Sequence, residues 1–212
     1  MDKPVIIFGA KGLAKPALEI FKSNGIVVYG ILDDDEKLKD TEIFEIPVLG
    51  ATDDHGFLKL IGQKCEAFIA TDANEERKDL VSYLNETRKV MPMNALHSSA
   101  SISEYGVIGH GNFINANAFI GADAKLGSHN LINSRVSIDH DVTIGDYVQI
   151  GAGSSINSGV EIENEVFIGS GVTIVSGVKV AEGARIGAGS VVVQNVNKGE
   201  TVFGNPAVPV NK

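Results

Sequence analysis

From Ile102 onward a large aliphatic residue recurs at every sixth position. The series runs through Ile108, Ile114 and Ile120, admits Leu126 and Val180, and closes with the hexad led by Val192, sixteen hexads without a slip. The fifth residue of a hexad is nearly always small or valine, as at Ala118, Val136, Val142, Ser154 and Val172. Glycine often follows the leader, as at Gly109, Gly121, Gly151 and Gly169. A helix would need apolar residues spaced by three and four, and one strand of such length would far exceed the usual ~3–10 residues. A short flat strand followed by a corner, repeated as the sides of a stacked prism, meets the period of six. The leader points inward, the small residue fits the corner, and glycine is expected to supply backbone angles that other residues avoid. With three sides to a coil, the hexads make a little over five coils, a column about 25 Å tall at ~4.8 Å per coil. No insertion interrupts them, so any site must lie on the flat faces of the column. Such faces commonly pack against copies of themselves.

Ahead of the hexads the pattern changes. Val5-Ile6-Ile7-Phe8 predicts a short buried strand, followed by the turn Gly9-Ala10-Lys11-Gly12 and a helix from Leu13 to Asn24. A second strand is expected over Ile26–Leu32, ended by Asp33-Asp34-Asp35. Ala51 to Ile61 reads as a helix, Ala67–Ala70 as a strand, Asn74–Arg88 as a helix and Val90–Met93 as a last short strand. That alternation predicts a small parallel sheet with helices on its faces, a Rossmann-like α/β domain over residues 1–97, with the solenoid over 98–212. Ligands of such sheets bind at the carboxyl ends of the strands. Here those ends carry Gly9 to Gly12, Asp33 to Asp35, and Thr71-Asp72-Ala73-Asn74. A Gly-rich turn opening a helix can cradle phosphate with its N–H groups, and an acid on the next strand end can accept hydrogen bonds from a ribose. The turn lacks the G-x-G-x-x-G spacing, so a tight structural turn explains it as well as a ligand loop does. The same departure argues against a nicotinamide-dinucleotide enzyme.

Composition narrows the partners. The 212 residues are 43% hydrophobic and 21% charged, with a net charge of −9 shared between the two halves. An acidic chain without a basic stripe is a poor partner for nucleic acid or an anionic membrane. The one cysteine, Cys65, excludes an intramolecular disulfide. It reads as a half-buried strand-end residue with no electropositive neighbours to activate it. No apolar run approaches the ~20 residues of a membrane span, and the N-terminus has no charged-then-apolar signal pattern. A cytoplasmic location is the expectation.

The hexads, the Gly-Ala-Lys-Gly turn, the Leu32-Asp33-Asp34 strand end, the segment Asn133-Ser134-Arg135-Val136-Ser137-Ile138-Asp139-His140-Asp141 and the tail Val202-Phe203-Gly204-Asn205-Pro206-Ala207 occur together. In this combination the chain resembles the bacterial sugar acyltransferases of the sialic acid O-acetyltransferase and UDP-4-amino-sugar N-acetyltransferase type. The resemblance implies a left-handed parallel β-helix of hexapeptide repeats after the α/β domain, an exception to right-handed crossovers. It implies acetyl-CoA as donor, a homotrimer, and a site between neighbouring solenoids. The acceptor it implies is the amino or hydroxyl group of a nucleotide-linked sugar, or alternatively a hydroxyl of a free sugar such as sialic acid. His140 matches the family's general base and Asp141 the acid that raises its basicity. Sugar-nucleotide contacts fall on Lys11, Gly12 and Leu13, on Asp33, Asp34 and Asp35, and on Asp72 and Asn74. Acetyl-CoA contacts fall on Gln149, Ser170 and Ala188. The chain departs from its relatives in the first turn, where they usually carry a histidine, at Asp72, where they carry glycine, and at Gln149, where a histidine often meets the acetyl carbonyl.

The chemistry asks little else of the protein. A thioester is already activated, so the protein must deprotonate the acceptor and hold an oxyanion. Neutral imidazole suits the first task near pH 7. His140 stands third in its hexad, next to a corner. Successive strand residues face opposite ways, so Asp141 can reach its ring only if the corner turns the two together. Stacking by one coil places Asp123 beside Asp141, as a substitute orienting acid, and Asn157 beside Asp139. The oxyanion donor is either the Gln149 amide or a backbone N–H. His55 and His97 read as surface or packing residues. His110 and His129, one coil apart, carry the metal alternative, since some left-handed β-helices bind zinc through histidines and hydrate carbon dioxide. Zinc needs three close ligands and an open position, and no closely spaced histidine pair occurs here, so no metal is expected. A non-catalytic trimeric scaffold, an inert spacer or an antifreeze surface is the other alternative to an enzyme.

Overall fold

In the computed structural model, which describes residues 3–210, every hexad leader from Ile102 to Val192 closes a two-residue strand. Ile120 lies between Ile102 and Ile138, Leu126 between Ile108 and Ile144, and Ile132 between Ile114 and Ile150, each pair parallel and one coil apart. Three parallel ladders, one per side, build a left-handed β-helix. From Ile114 onward the leaders are at most 3% exposed. Burying each contributes about 1.5–3 kcal/mol, an upper figure because the unfolded chain already hides some apolar surface. The inner corner positions are not all aliphatic. Asn112 and Asn130 are fully buried, and Asn112 Oδ1 accepts the N–H of Asn130 at 2.9 Å while Asn130 Oδ1 accepts that of Val148 at 2.7 Å. Beyond the hexads, Thr201–Gly204 joins the ladder beside Arg185–Ile186 and turns back through a hairpin to Ala207–Pro209.

The corners correct one expectation about glycine. The fourth residue of every hexad from Gly111 to Gly189 has φ between 56° and 74°, and half of these residues are not glycine: Asn117, Asp123, His129, Arg135, Asp141, Tyr147 and Glu165. Each such residue costs roughly 1–2 kcal/mol. A corner hydrogen bond to the preceding coil offsets that cost, as where Asp141 N–H donates to Ala122 O at 3.0 Å. The glycines after the leaders answer a different demand, because none of them has positive φ. A Cβ at Gly121 would stand 2.8 Å from the backbone of Asp139 and His140, and one at Gly151 would stand 2.4 Å from Ser170 N. These glycines let coils approach.

The first unit of the chain, ending at Ser98, is a five-stranded sheet with helices. Its elements are β1 (Val5–Phe8), α1 (Ala14–Ser23), β2 (Val28–Leu32), β3 (Glu42–Ile43), β4 (Ile46–Gly50), α2 (His55–Leu58), β5 (Glu66–Ile69) and α3 (Asn74–Arg88). The order is β3-β4-β2-β1-β5, parallel except for the β3–β4 hairpin. All four residues of β1 are buried, as its central place and unbroken apolar run require. The structure departs from the sequence expectations at four places. The β3–β4 hairpin has no counterpart among them, because Pro47 and scattered charges mask its short alternation. The helix expected over Ala51–Ile61 shrinks to four residues, since Asp54 caps it late by accepting Gly56 N–H. Val90–Met93 forms no strand, although Met93 N–H still reaches Ala67 O at 2.8 Å. Ile26 and Val27 also fall outside β2, as Ile26 N–H closes the end of α1 on Phe21 O.

Candidate active site

The chain leaves β1 for β2 and β4 on one side, then returns to β5 on the other, so the topological switch lies between the ends of β1 and β5. Ligands of open sheets sit at such a crevice. Gly9 (φ 97°) approaches it so closely that a Cβ would lie 3.0 Å from Ala70 O. Gly12 (φ 44°) is exposed, with the Asp72 carboxylate nearest to it. Lys11 reaches Asp35 at 2.8 Å, and this contact raises the lysine pKa and lowers that of Asp35. Leu13 is half-buried as the N-cap of α1.

The three aspartates divide their work. Asp33 accepts Ala10 N–H at 2.7 Å and Asp35 N–H at 2.9 Å, so its carboxylate braces the glycine turn. Asp34 turns away to Thr52, accepting both the backbone N–H and the hydroxyl. Beside them a cavity of about 400 Å³ is lined by Asp33, Asp34, Glu36, Lys39, Gly50 and Ala51. On the β5 side, buried Arg77 donates to Thr71 O at 2.7 Å and to Asn74 Oδ1, tying the loop that carries Asp72 to the start of α3. In the sequence Arg77 reads as solvated, an arginine within a charged helix; only the fold buries it. Cys65, at the start of β5, is fully buried and not half-buried, and burial pushes its thiol pKa up, away from reactivity.

In the solenoid, His140 stands outward on a corner and is exposed. Its Nδ1 lies 2.7 Å from Asp141 Oδ2. The left-handed conformation of Asp141 (φ 59°) turns its side chain to the same side as the imidazole, which meets the condition set by strand alternation. Chiefly through that hydrogen bond, then through the charge of Asp139, the imidazole pKa is raised above its ordinary value, with slight desolvation opposing. Nδ1 engaged by a carboxylate leaves Nε2 as the basic nitrogen. Asp123 stacks one coil before Asp141, but the ring pairs with Asp141. Asn157, below Asp139, is engaged by the Ser155 hydroxyl at 3.2 Å.

One coil below His140 comes Ser158. Its N–H takes no hydrogen bond among the described residues, whereas the equivalent N–H of Ser128 is capped by Asp146 Oδ1 and that of Asp146 by Asn164 Oδ1. Ser158 was not singled out by sequence, since the ladder that passes over its N–H exists only once the coil has closed. Gln149 is half-buried and outward-facing beside inward Ile150, on the side beyond the corner that follows Thr143–Ile144, and so not on a side adjoining His140's corner. Ser170 and Ala188 stack on the next corner, one coil apart and exposed. Within one chain, therefore, His140 occupies one corner, and Gln149, Ser170 and Ala188 occupy a different side and corner. His129 is buried and stacked on Tyr147 at 5.0 Å, and no group of three or more His, Cys, Asp or Glu side chains able to hold a metal occurs among the described residues.

Comparison with known proteins matches residues 4–84 to the PglD N-terminal domain, and residues 123–158 and 159–194 to the bacterial transferase hexapeptide (six repeats). No curated protein matches the chain by sequence. Among solved structures, a histidine-to-alanine variant of GDP-perosamine N-acetyltransferase from Caulobacter crescentus, in complex with CoA and GDP-perosamine, is 28% identical. The match covers 99% of this chain and 97% of that one, with a TM-score of 0.89. The acetyltransferase domain of PglB from Neisseria gonorrhoeae, in complex with acetyl coenzyme A, is 25% identical over 99% and 100% of the two chains, with a TM-score of 0.88. WeeI from Acinetobacter baumannii is 26% identical over 98% and 99%, with a TM-score of 0.86.

Proposed function

We propose that this chain, a hexapeptide-repeat acyltransferase with a PglD N-terminal domain, moves an acetyl group from acetyl-CoA to the amino group of a nucleotide-linked sugar. The observation that carries the proposal is the outward His140–Asp141 pair, with Nδ1 held at 2.7 Å and Nε2 left to act as a base. The likeness to a nucleotide-sugar N-acetyltransferase solved with CoA and GDP-perosamine supports an amine over a hydroxyl acceptor.

The acceptor amine attacks the thioester carbonyl, and Nε2 of His140 takes its proton as the N–C bond forms. Asp141 steadies the imidazolium. The tetrahedral oxyanion accepts hydrogen bonds from Ser158 N–H or from the Gln149 amide. Collapse breaks the C–S bond, and the leaving thiolate takes the proton from His140. The glycine turn, Lys11 and the Asp72–Asn74 loop hold the sugar nucleotide, with Asp33 and Asp34 bracing that cleft. Ser170 and Ala188 border the donor. Because these donor residues and His140 stand on different corners of one column, a second copy completes the site, which favours a homotrimer.

The test is a thiol-release screen of acetyl-CoA against GDP-, UDP- and dTDP-linked 4-amino sugars, with free sialic acid included. Release with an amino-sugar nucleotide is the expected result. Release with sialic acid alone would move the acceptor to a hydroxyl, and release with none would overturn the proposal.

A further inference from the structure

We propose that Asp139 is a positioning residue for His140, clamping the corner backbone that carries the imidazole and setting a second negative charge beside the ring. The proposal rests on His140 serving as the general base. The N–H of a hexad's third residue is not used by the coil ladder, so it is left to solvent, as at Ser158, or to a side-chain acceptor. For His140 the partner is Asp139 Oδ1, at 2.8 Å. The same clamp occurs at another corner, where Asn115 Oδ1 accepts Ala116 N–H at 2.7 Å. A neutral amide therefore suffices for the backbone, and the negative charge of Asp139 is surplus to it.

What the surplus charge can act on is the adjacent imidazole. The corner positions that flank His140 are Asp139 and Asp141 on its own coil, Ala122 and Asp123 on the coil before, and Ser158 and Gly159 on the coil after. None is cationic. A second carboxylate favours the protonated ring and makes Nε2 a stronger base, and the charge of Asp139 helps to raise the imidazole pKa. The ring is exposed, so salt must weaken the effect. The column offers an internal contrast: its positions one coil away hold Gly121 and Asn157, so the charge is confined to the coil that bears the histidine.

Two variants of the full chain separate clamp from charge. Asp139→Asn keeps an acceptor for the His140 N–H, and asparagine already occupies equivalent corners at Asn115 and Asn157, so the fold is retained. Asp139→Ala removes both. The His140 ring is titrated by NMR in each, with its signal assigned by loss in His140→Ala. In Asp139→Asn the ring should titrate at lower pH than in the wild type, the difference shrinking at high salt. The acidic limb of kcat should move the same way while the plateau stays within about threefold. Asp139→Ala should shift the limb equally and also lower the plateau by about tenfold, through a displaced imidazole. Identical titration in the wild type and Asp139→Asn would overturn the charge role. An Asp139→Asn plateau as low as that of Asp139→Ala would overturn the division between clamp and charge. Should no acceptor be acetylated, the failure falls on the proposed reaction, while the NMR titration still decides the coupling.

Discussion

A carboxylate 2.7 Å from Nδ1 fixes which nitrogen of neutral His140 carries the proton, and leaves Nε2 for the proposed proton transfer. Replacing His140 with alanine removes the base but leaves Ile138 and the ladder in place. The expected result is a fall in kcat of about 10²–10⁴-fold with an unchanged circular dichroism spectrum. Near-wild-type kcat at saturating substrates would remove His140 from the mechanism. Asp141→Asn should cost less, because it weakens orientation without deleting the base. The pH dependence follows from the raised pKa of His140. Below that pKa the ring is imidazolium and cannot accept a proton, so the rate falls as pH drops through it. Since the pKa lies above the ordinary histidine value, the limb should sit above that of an unperturbed histidine. Asp141→Asn should move it to lower pH, and His140→Ala should erase it.

At the scale of elements, corners and strand ends hold these side chains through backbone contacts. Gly121→Ala would drive a methyl against the backbone of Asp139 and His140, 2.8 Å away, with no flexible side chain to yield. Overpacking of this kind costs about 1–3 kcal/mol. The variant should melt earlier and lose kcat, although Gly121 itself carries no functional group. In the α/β unit, Asp33→Ala would leave the N–H groups of Ala10 and Asp35 without their acceptor. A loss of about 1–3 kcal/mol is expected in chemical denaturation, together with a raised KM for the sugar nucleotide and little change for acetyl-CoA. Lys11→Ala, which removes only an exposed contact to Asp35, should raise the acceptor KM without that loss of stability. A change confined to acetyl-CoA would mean that donor and acceptor sites are reversed.

For the molecule as a whole, the prism geometry matters more than any one residue. His140 stands at one corner while Gln149, Ser170 and Ala188 lie beyond the next, so a site that uses all of them needs neighbouring columns. Light scattering should give three copies of the 22.4 kDa chain. A more specific test refolds His140→Ala together with Ser170→Trp, each inactive alone. Random assembly makes about a quarter of the interfaces intact, pairing a good His140 with a good Ser170 from the neighbour. Recovered activity near that fraction is expected; none would place both residues in one subunit's site.

The strict period of six was sufficient by itself to specify the solenoid, because only an inward residue on every side of a stacked coil satisfies it. The positions of His140 and Asp141 within their hexad were equally legible. What the sequence left undecided was whether two adjacent residues could face the same way, and the left-handed backbone of Asp141 settled that. The glycines after the leaders were visible, but their purpose was not. Close approach between coils eighteen residues apart is a tertiary fact, and no local propensity encodes it. The same holds for the α/β unit. An unbroken apolar run announced β1, whereas the hairpin at Glu42–Gly50 took its place only by pairing with β2. Asp33 reads in the sequence as a sugar-nucleotide contact, and only the fold shows that its carboxylate also braces the glycine turn, while Arg77 reads as solvated and is buried. Hydrophobic period is a property of the chain, and the sequence carries it in full. The partner of a polar group is a property of the folded neighbourhood, because a hydrogen bond depends on distances that exist only after the apolar residues have packed.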